Sequence, residues 1–557
     1  MKRIAWVLAL VACGGAAKKS TSVGGQMYSV EPTFDASANQ FAGCLFASPQ
    51  PWNGLVLVAD GGGQVAAIDP ASGIAKWTVT LPAPDGEQSF VVATPAIVGD
   101  ELVVAFHTTP QKMSGPNVID PRIHQRMAVI DLTKAALDPA FPPIEIMGSK
   151  PDSSGSGTVP FLASNSLARG ALLHLVPSSS ALGLIYETFG NAQDIQPWHG
   201  WMFEIDLDAW KAGGTALRSL LLTTAESDCG PAGVSGSNGM ICGGGLWSPA
   251  GPIAVDGKLI VATGNGQLDL TRSDYANAIL RLSPGLNFDP GCDMSACTPF
   301  DMDQPADACV QSCSDLFIPR IGSGQLPPRP ENGACDGLSQ FDCWDKLDWD
   351  FGGSTPTAFT LGGAPYLLHA AKDGAAYLID GVHLGTMHDR LELVLPCGTQ
   401  GDPCSAQWAG MIVTQPTPSV AVPGTFFVPT FEFDNSHEAG LFAVAVSDDA
   451  KLHVAWQWPL AGSSDAKARF RRHTSRVSLG TVGGNEVAWV EEPAPPGGKA
   501  HLIAVQSSDG ELVFDTPMQG PGYRFVAPLV TDSQVFVTSC DSESGPGHLE
   551  GFTVVTK

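Results

Sequence analysis

The chain has 557 residues, of which only 15% are charged, with 63 Gly and 44 Pro and a formal net charge of −26. That length exceeds what one ordinary core supports, so it demands several domains or one large modular one. The Gly- and Pro-rich, charge-poor composition favours many short strands over helices, and the acidity excludes a nucleic-acid partner, because phosphate binding needs a basic surface.

The first residues, "MKRIAWVLALVACGG", place two basic residues before a short apolar run that ends in Leu10-Val11-Ala12-Cys13. This resembles a bacterial lipoprotein signal with its lipobox, so residues 1–13 are expected to be the signal, with Cys13 lipidated. The run is too short for a permanent membrane span; an ordinary cleaved signal is the plainer alternative. Residues 14–24 read as a flexible tether. The chain is thus expected in the cell envelope, exported as a lipoprotein and held to a membrane by its lipid anchor alone. Of 13 cysteines, those beyond Cys13 are even in number, which in an exported chain implies a disulfide framework. No CxxCH stretch occurs, so the chain carries no c-type haem of its own.

Residues 55–81, "LVLVADGGGQVAAIDPASGIAKWTVTL", define a repeat unit: an apolar strand, a Gly-rich turn, a second strand ending in Asp69, a turn, and a third strand with Trp77. The fourth lies in "FVVATPAIVGDELVVAF". Copies of the second strand recur as "RMAVIDL", "GWMFEIDL", "NAILRLS", "AAYLIDG", "LFAVAVS", "HLIAVQS" and "LEGFTVV", which with "QVAAIDP" makes eight. Four short antiparallel strands per copy with no helix between them predict an all-β, eight-bladed β-propeller over residues 25–557. The last copy stops after its third strand, so residues 25–34, "GQMYSVEPTF", are expected to supply the missing outer strand and close the ring. Closure brings Cys44 and Cys540 together as a disulfide clasp; the alternative pairs Cys44 within a Cys-rich insertion. That insertion, about 285–348 between blades four and five, holds Cys292, Cys297, Cys309, Cys313, Cys335 and Cys343. It is too polar to build a core of its own, so it needs disulfide staples. A zinc site is the rival reading, but the Cys spacing matches no usual ligand pair.

In a blade the start of the innermost strand and the end of the second lie on one rim of the channel. Trp247 precedes the innermost strand of copy four and Asn265 follows its second; Asp350 and Lys372 hold the same positions in copy five. Asp194 follows the second strand of copy three, ahead of His199. An indole, two carboxylates, an amide oxygen and an ammonium on one rim suit a planar, multiply anionic ligand bridged to a hard divalent cation, and calcium accepts such oxygens. Each residue also has a structural alternative. Trp247 could wedge between blades, Asn265 and Asp350 could cap turns, Lys372 could be solvated, and His199 reads as a hydrogen-bonded structural histidine. The run Lys467, Arg469, Arg471, Arg472, Arg476 reads as a solvated loop, with docking of an acidic partner or anionic ligand as its alternative.

The stretches "GGGLWSPAG", "ATGNG", "DWDFGG" and "AKDGAAYLIDG" resemble the quinoprotein alcohol dehydrogenases, eight-bladed propellers that hold pyrroloquinoline quinone (PQQ) and calcium. The resemblance implies cofactor binding by Trp247, Lys372 and Asn265, and calcium ligation by Asp194, Asn265 and Asp350. It further implies Asp350 as catalytic base and Lys372 as the residue that hydrogen-bonds the quinone oxygens. Gly352, two positions after Asp350, lacks the additional carboxylate of the lanthanide-using branch. Asp194 lies about one position out of register with the family's metal-binding Glu, and Glu187 competes for that role; the adjacent Cys pair of many alcohol-oxidising members is absent. "GNAQDIQPWHGW" and "DYANAILRLSPGL" resemble a less characterised bacterial branch. Two further bridges, Cys229–Cys242 and Cys397–Cys404, are expected to staple loops on the same face. The implied activity is oxidation of a small-molecule alcohol, with electrons leaving to an external acceptor such as a cytochrome. The competing expectation is a non-catalytic binding or scaffold propeller with a vestigial quinone site, and polymer binding at the aromatic mouth is a third.

Overall fold

The computed structural model describes residues 20–23, 26–111, 120–191, 195–230, 242–301, 305–319, 340–394, 412–432, 438–495, 497–542 and 545–557. Eight antiparallel sheets follow one another along the chain and close on themselves. Blade one runs from Gln50–Trp52 to Ala75–Thr80, and blade seven from Ser478–Val482 to Leu512–Pro517, each with four strands in sequence order. The eight repeated segments all become the third strand from the channel, from Gln64–Ile68 to Gly547–Thr556. These strands are almost wholly buried because both faces pack, which is why they read as continuous Val, Ile, Leu and Ala runs. Apolar side chains of adjacent blades interdigitate at every junction, including blade eight on blade one through Phe34, Val56, Phe536 and Leu549.

Ring closure follows the sequence expectation. Blade eight comprises Leu529–Val530, Gln534–Cys540 and Gly547–Thr556, and its outer strand is Gln26–Phe34, with Tyr28 opposite Thr556 and Val30 opposite Val554. The Cys44–Cys540 bridge is present, across 496 residues of sequence. The tether assignment for 14–24 requires correction: Ser20–Val23 forms a strand paired with Gln26–Ser29, adding a fifth strand to the closing blade. A further strand there hides an edge that would otherwise offer unpaired N–H and C=O groups. Cys13 and residues 1–19 lie outside the described residues.

The Cys-rich insertion also differs from expectation. It does not lie wholly between blades four and five, because the outer strand of blade four, Leu316–Phe317, is nested inside it and pairs with Ile279–Leu282. Cys292–Cys313 and Cys297–Cys309 are disulfides, and Cys343 is disulfide-bonded as well, so these thiols are not zinc ligands. Arg281 fastens the insertion to blade five: it donates to Asp315 (2.6 Å) and to the carbonyls of Ser314, Gly381 and Val382. The insertion then packs Phe341 and Trp344 from the helix Gln340–Leu347 into the core of blades three to five. No helix among the described residues is long and apolar enough to cross a membrane.

Candidate functional site

The loops that precede the innermost strands open on one mouth of the channel. Trp247 and Pro249 come before Ile253–Val255, Asp348 and Gly353 before Thr357–Leu361, Val413 before Thr417–Pro418, His473 before Ser478–Val482, and Phe525 before Leu529–Val530. With Arg169 of blade three and Lys372 they line a cavity of about 400 Å³, open solvent included.

Trp247 is set by glycines. A β-carbon on Gly190, in the second strand of blade three, would fall 2.7 Å from Trp247 Cβ, and β-carbons on Gly264 and Gly352 would fall 2.7 and 2.6 Å from its Nε1. Only bare backbone fits there, so one strand closes on the Cβ end of Trp247 and two loops close on its Nε1 edge. The stretch before Trp247 is tied down too. Gly244 N–H donates to the Asn265 carbonyl (2.7 Å), Gly264 N–H to the Gly245 carbonyl (2.8 Å), and the Cys229–Cys242 bridge closes the loop upstream. His199 packs on this bridge, 3.5 Å from Cys229 Sγ, while its Nδ1 faces Thr224, and burial holds its pKa down at about 4. It is therefore the structural histidine expected.

The helix Gln340–Leu347 aims the acidic groups. It ends in a Schellman motif, with Trp349 N–H on the Trp344 carbonyl (2.9 Å) and Asp348 N–H on the Asp345 carbonyl (3.3 Å). Asp348 takes the left-handed residue of that motif, φ 59°. Its carboxylate accepts from Lys372 Nζ at 2.8 Å, and Asp350 accepts from the same ammonium at 2.7 Å. Asp350 is fully buried, and its other oxygen accepts from Gly352 N–H (2.7 Å). Burial works against the charge on Lys372, but the Asp348 and Asp350 carboxylates outweigh it and hold the ammonium above its ordinary pKa. Lys372 Nζ lies 4.1 Å from the Trp247 ring centroid, over the indole face.

Trp247, Asp350 and Lys372 are thus brought together, with Asn265 beside them in the Gly264–Gly266 turn. Asn265 is buried, and its side-chain oxygen has no hydrogen-bond partner; neither has Trp247 Nε1. Orphaned buried polar atoms are uncommon and point to a missing partner. Asp345, also buried, accepts from Gly266 N–H (3.1 Å) and Asn277 Nδ2 (2.9 Å), and braces the turn that carries Asn265. Asp194 lies outside the described residues, as do Cys397 and Cys404. Glu187 is buried with both oxygens unpartnered, and burial pushes its pKa well up. It shares a strand face with Ile185 and Phe189, in the core of blades two and three.

The basic run is not a solvated loop throughout. Arg469 pairs with Glu492 (2.6 Å) and Asp515 (3.0 Å), and Arg471 donates to the carbonyls of Glu432 and Ala466. Arg476 donates to Gln415, and its burial lowers its pKa to about 10. Lys467 and Arg472 are exposed. The neighbouring His473 is buried against Phe431, 3.9 Å between ring centroids. Burial lowers its pKa far below the usual value, with Arg524, Lys372, Arg169 and Arg472 adding to that effect. Sequence reasoning missed Asp348, Arg169, His473 and Phe525. The signal was available: all four sit in the pre-strand position that singled out Trp247 and Asp350, Arg169 before Leu173–Leu175.

The PQQ_2 family model, described as outer membrane protein assembly factor BamB, matches residues 22–122. None of the curated proteins matches. Among solved structures, the quinohemoprotein alcohol dehydrogenase from Comamonas testosteroni is similar with a TM-score of 0.55 at 14% identity, over 94% of this chain and 76% of that one. The quinohemoprotein alcohol dehydrogenase ADHIIG from Pseudomonas putida HK5 gives 0.54 at 13%, over 92% and 75%. A europium-containing methanol dehydrogenase gives 0.53 at 12%, over 94% and 93%. At such identities the likeness bears on fold alone. In fold, the chain is an eight-bladed β-propeller that resembles the quinoprotein alcohol dehydrogenases, with its PQQ_2 match confined to residues 22–122.

Proposed function

We propose that this propeller binds PQQ against Trp247, holds calcium through Asn265 and Asp350, and in that state oxidises an alcohol, passing electrons to an external acceptor such as a cytochrome. The observation that carries the reading is the convergence of Trp247, Lys372 and Asp348 on one cavity, with Asp350 buried behind it on the Lys372 ammonium and an Asn265 oxygen that lacks a partner in the adjoining turn. The residues fit the group: an indole flanked by bare glycine backbone accepts a flat ring, the cations Arg169 and Lys372 suit its carboxylates, and hard oxygens suit calcium. When bound, PQQ with calcium supplies an electrophilic carbonyl that accepts hydride.

The chain's own residues do the rest. Asp350 takes the hydroxyl proton of the alcohol, which requires its Oδ2 to exchange the Lys372 ammonium for the substrate. Lys372, whose ammonium lies beside the indole, would be the residue that donates N–H groups to the quinone oxygens. Asp348, gripping the same ammonium, keeps Lys372 charged and within reach during that exchange. Lipidation at Cys13 and export place the protein in the cell envelope, where its disulfides persist.

The match of residues 22–122 to the BamB model supports a second reading, a non-catalytic envelope scaffold with a vestigial site. One experiment separates the two: titrate the purified chain with PQQ and calcium, follow quinone fluorescence quenching, then assay dye-linked alcohol oxidation. Saturable quenching with turnover is expected, and Asp350→Asn should retain quenching but lose turnover. Absence of saturable quenching favours the scaffold.

A further inference from the structure

The turn Gly264–Gly266 lies between two carboxylates. On one flank a β-carbon on Gly264 would fall 3.4 Å from Asp350 Oδ1; on the other, Gly266 N–H donates to Asp345 Oδ1 at 3.1 Å. The same Asp345 oxygen accepts from Asn277 Nδ2 at 2.9 Å, while Asn277 N–H donates to the Gly264 carbonyl at 2.8 Å. Asn277 and the turn are therefore fastened to each other and to one carboxylate. The helix Gln340–Leu347 carries Asp345, and Asp350 follows its closing Schellman motif, so one element sets both acids beside the turn.

Hydrogen-bond donors run out in this cluster. Asn265 is 2% exposed and Asn277 0%, and neither side-chain oxygen has a hydrogen-bond partner. An asparagine in the left-handed backbone that Asn277 adopts, φ 51°, is ordinary; a buried amide oxygen without a donor is not. Asp345 brings charge to the same place. It is buried too, and among the described residues its partners are Gly266 and Asn277, neither of them charged. The Lys372 ammonium is committed to Asp348 and Asp350. A water donates to amide oxygens but leaves the carboxylate's charge unopposed. A hard cation satisfies the two amide oxygens and the charge together, and needs no donor.

We propose that Asp345 and Asn277 complete the calcium site that Asn265 and Asp350 begin, giving a centre made by the protein that takes up the ion before any quinone arrives. This rests on the calcium part of the proposed function and deepens it. The ion is a resident of the fold, seated by the helix of the Cys-rich insertion, and the quinone meets a site already loaded.

The test uses the full chain, stripped of metal by a chelator and without quinone, titrated calorimetrically with calcium. Saturable binding is expected, with a rise in melting temperature when calcium is added. Asp345→Asn keeps an acceptor oxygen for both N–H groups and removes the charge, so the brace on the turn survives. It should bind calcium at least about tenfold more weakly and lose most of the melting-temperature rise, because affinity at such sites follows ligand charge. Asn277→Gly suits the left-handed backbone and deletes one amide oxygen; it too should weaken binding, and it supplies the readout if the Asp345 variant fails to fold. Equal calcium affinity in the parent chain and Asp345→Asn, or no saturable binding without quinone, would overturn the site even if the parent oxidises alcohols with PQQ and calcium. Calcium binding that depends on Asp345, in a chain that never quenches PQQ fluorescence, would instead sink the quinone reading and leave the cation site standing.

Discussion

Asp348 occupies a helix-end position where glycine is the usual choice, because a β-carbon there crowds the following carbonyl. The sequence "KLDWDF" gives no warning of this, since the left-handed residue is chosen by tertiary contact with Lys372, 24 residues on. Replacing it separates the two roles. Asp348→Gly should cost less stability than Asp348→Ala, because both lose the buried Lys372 ion pair but glycine also relieves the left-handed backbone by up to about 1 kcal/mol. The same change frees one of the two carboxylates on the ammonium, so the Lys372 pKa should fall. An NMR titration of Lys372 Nζ reads that shift, and a pKa equal to that of the parent chain would show that Asp348 does not hold the charge. At this scale Trp247, Asp350 and Lys372 were legible because repeat phase alone assigns them to one rim. Arg169, His473 and Phe525 hold the same pre-strand position and were passed over; that they meet at one cavity follows from the curvature of the ring, which no single repeat displays.

Among elements, the loop around Cys229 and Cys242 decides where Trp247 stands. It is held from below by Asp274, whose Oδ1 accepts from Glu226 N–H (2.9 Å) and whose other oxygen is buried without a partner. Burial raises the Asp274 pKa from 3.8 to about 7, with the Glu226–Ala225 backbone and Arg272 only partly opposing it. The folded state therefore binds this proton more tightly than the unfolded chain does. Stability from this group is complete below about pH 4, declines as the pH climbs towards 7, and is lost above it. The slope contributed is at most about 1.4 kcal/mol per pH unit. Asp274→Asn should flatten the melting-temperature profile over this window, and a profile as steep as that of the parent chain would remove Asp274 as its source. The insertion was misplaced at this scale for a physical reason. The outer strand of blade four is only Leu316–Phe317, too short for alternation to register, and Arg281 and two disulfides position it instead of a hydrophobic run.

The whole molecule is a ring whose ends are joined three ways: by the ladder of Tyr28–Phe34 on Gly551–Thr556, by the core of Phe34 with Phe536, and by Cys44–Cys540. Because strand and core already restrain the termini, the bridge adds to closure and does not create it. Cys44→Ser with Cys540→Ser should lower stability by about 2–5 kcal/mol, towards the lower end, with the eight-bladed fold retained. Denaturant unfolding with circular dichroism measures the loss, and an unchanged midpoint would show that the ladder and core suffice. Closure was the most legible property of the chain, since eight third strands and a truncated last copy leave one strand to be found. The basic run was misread because its partners, Glu492 and Asp515, stand on neighbouring strands 23 and 46 residues further on.

The shared closing blade also sets an order on biogenesis. A ribosome delivers Gln26–Phe34 early and its mate Gly547–Thr556 last, so the leading segment stays unmatched until nearly the entire polypeptide has emerged. During that interval it presents a bare β edge, the surface through which nascent chains stick to one another. Any product cut short before residue 547 would carry that adhesive edge permanently, making the closing segment a built-in check that only finished copies become closed rings.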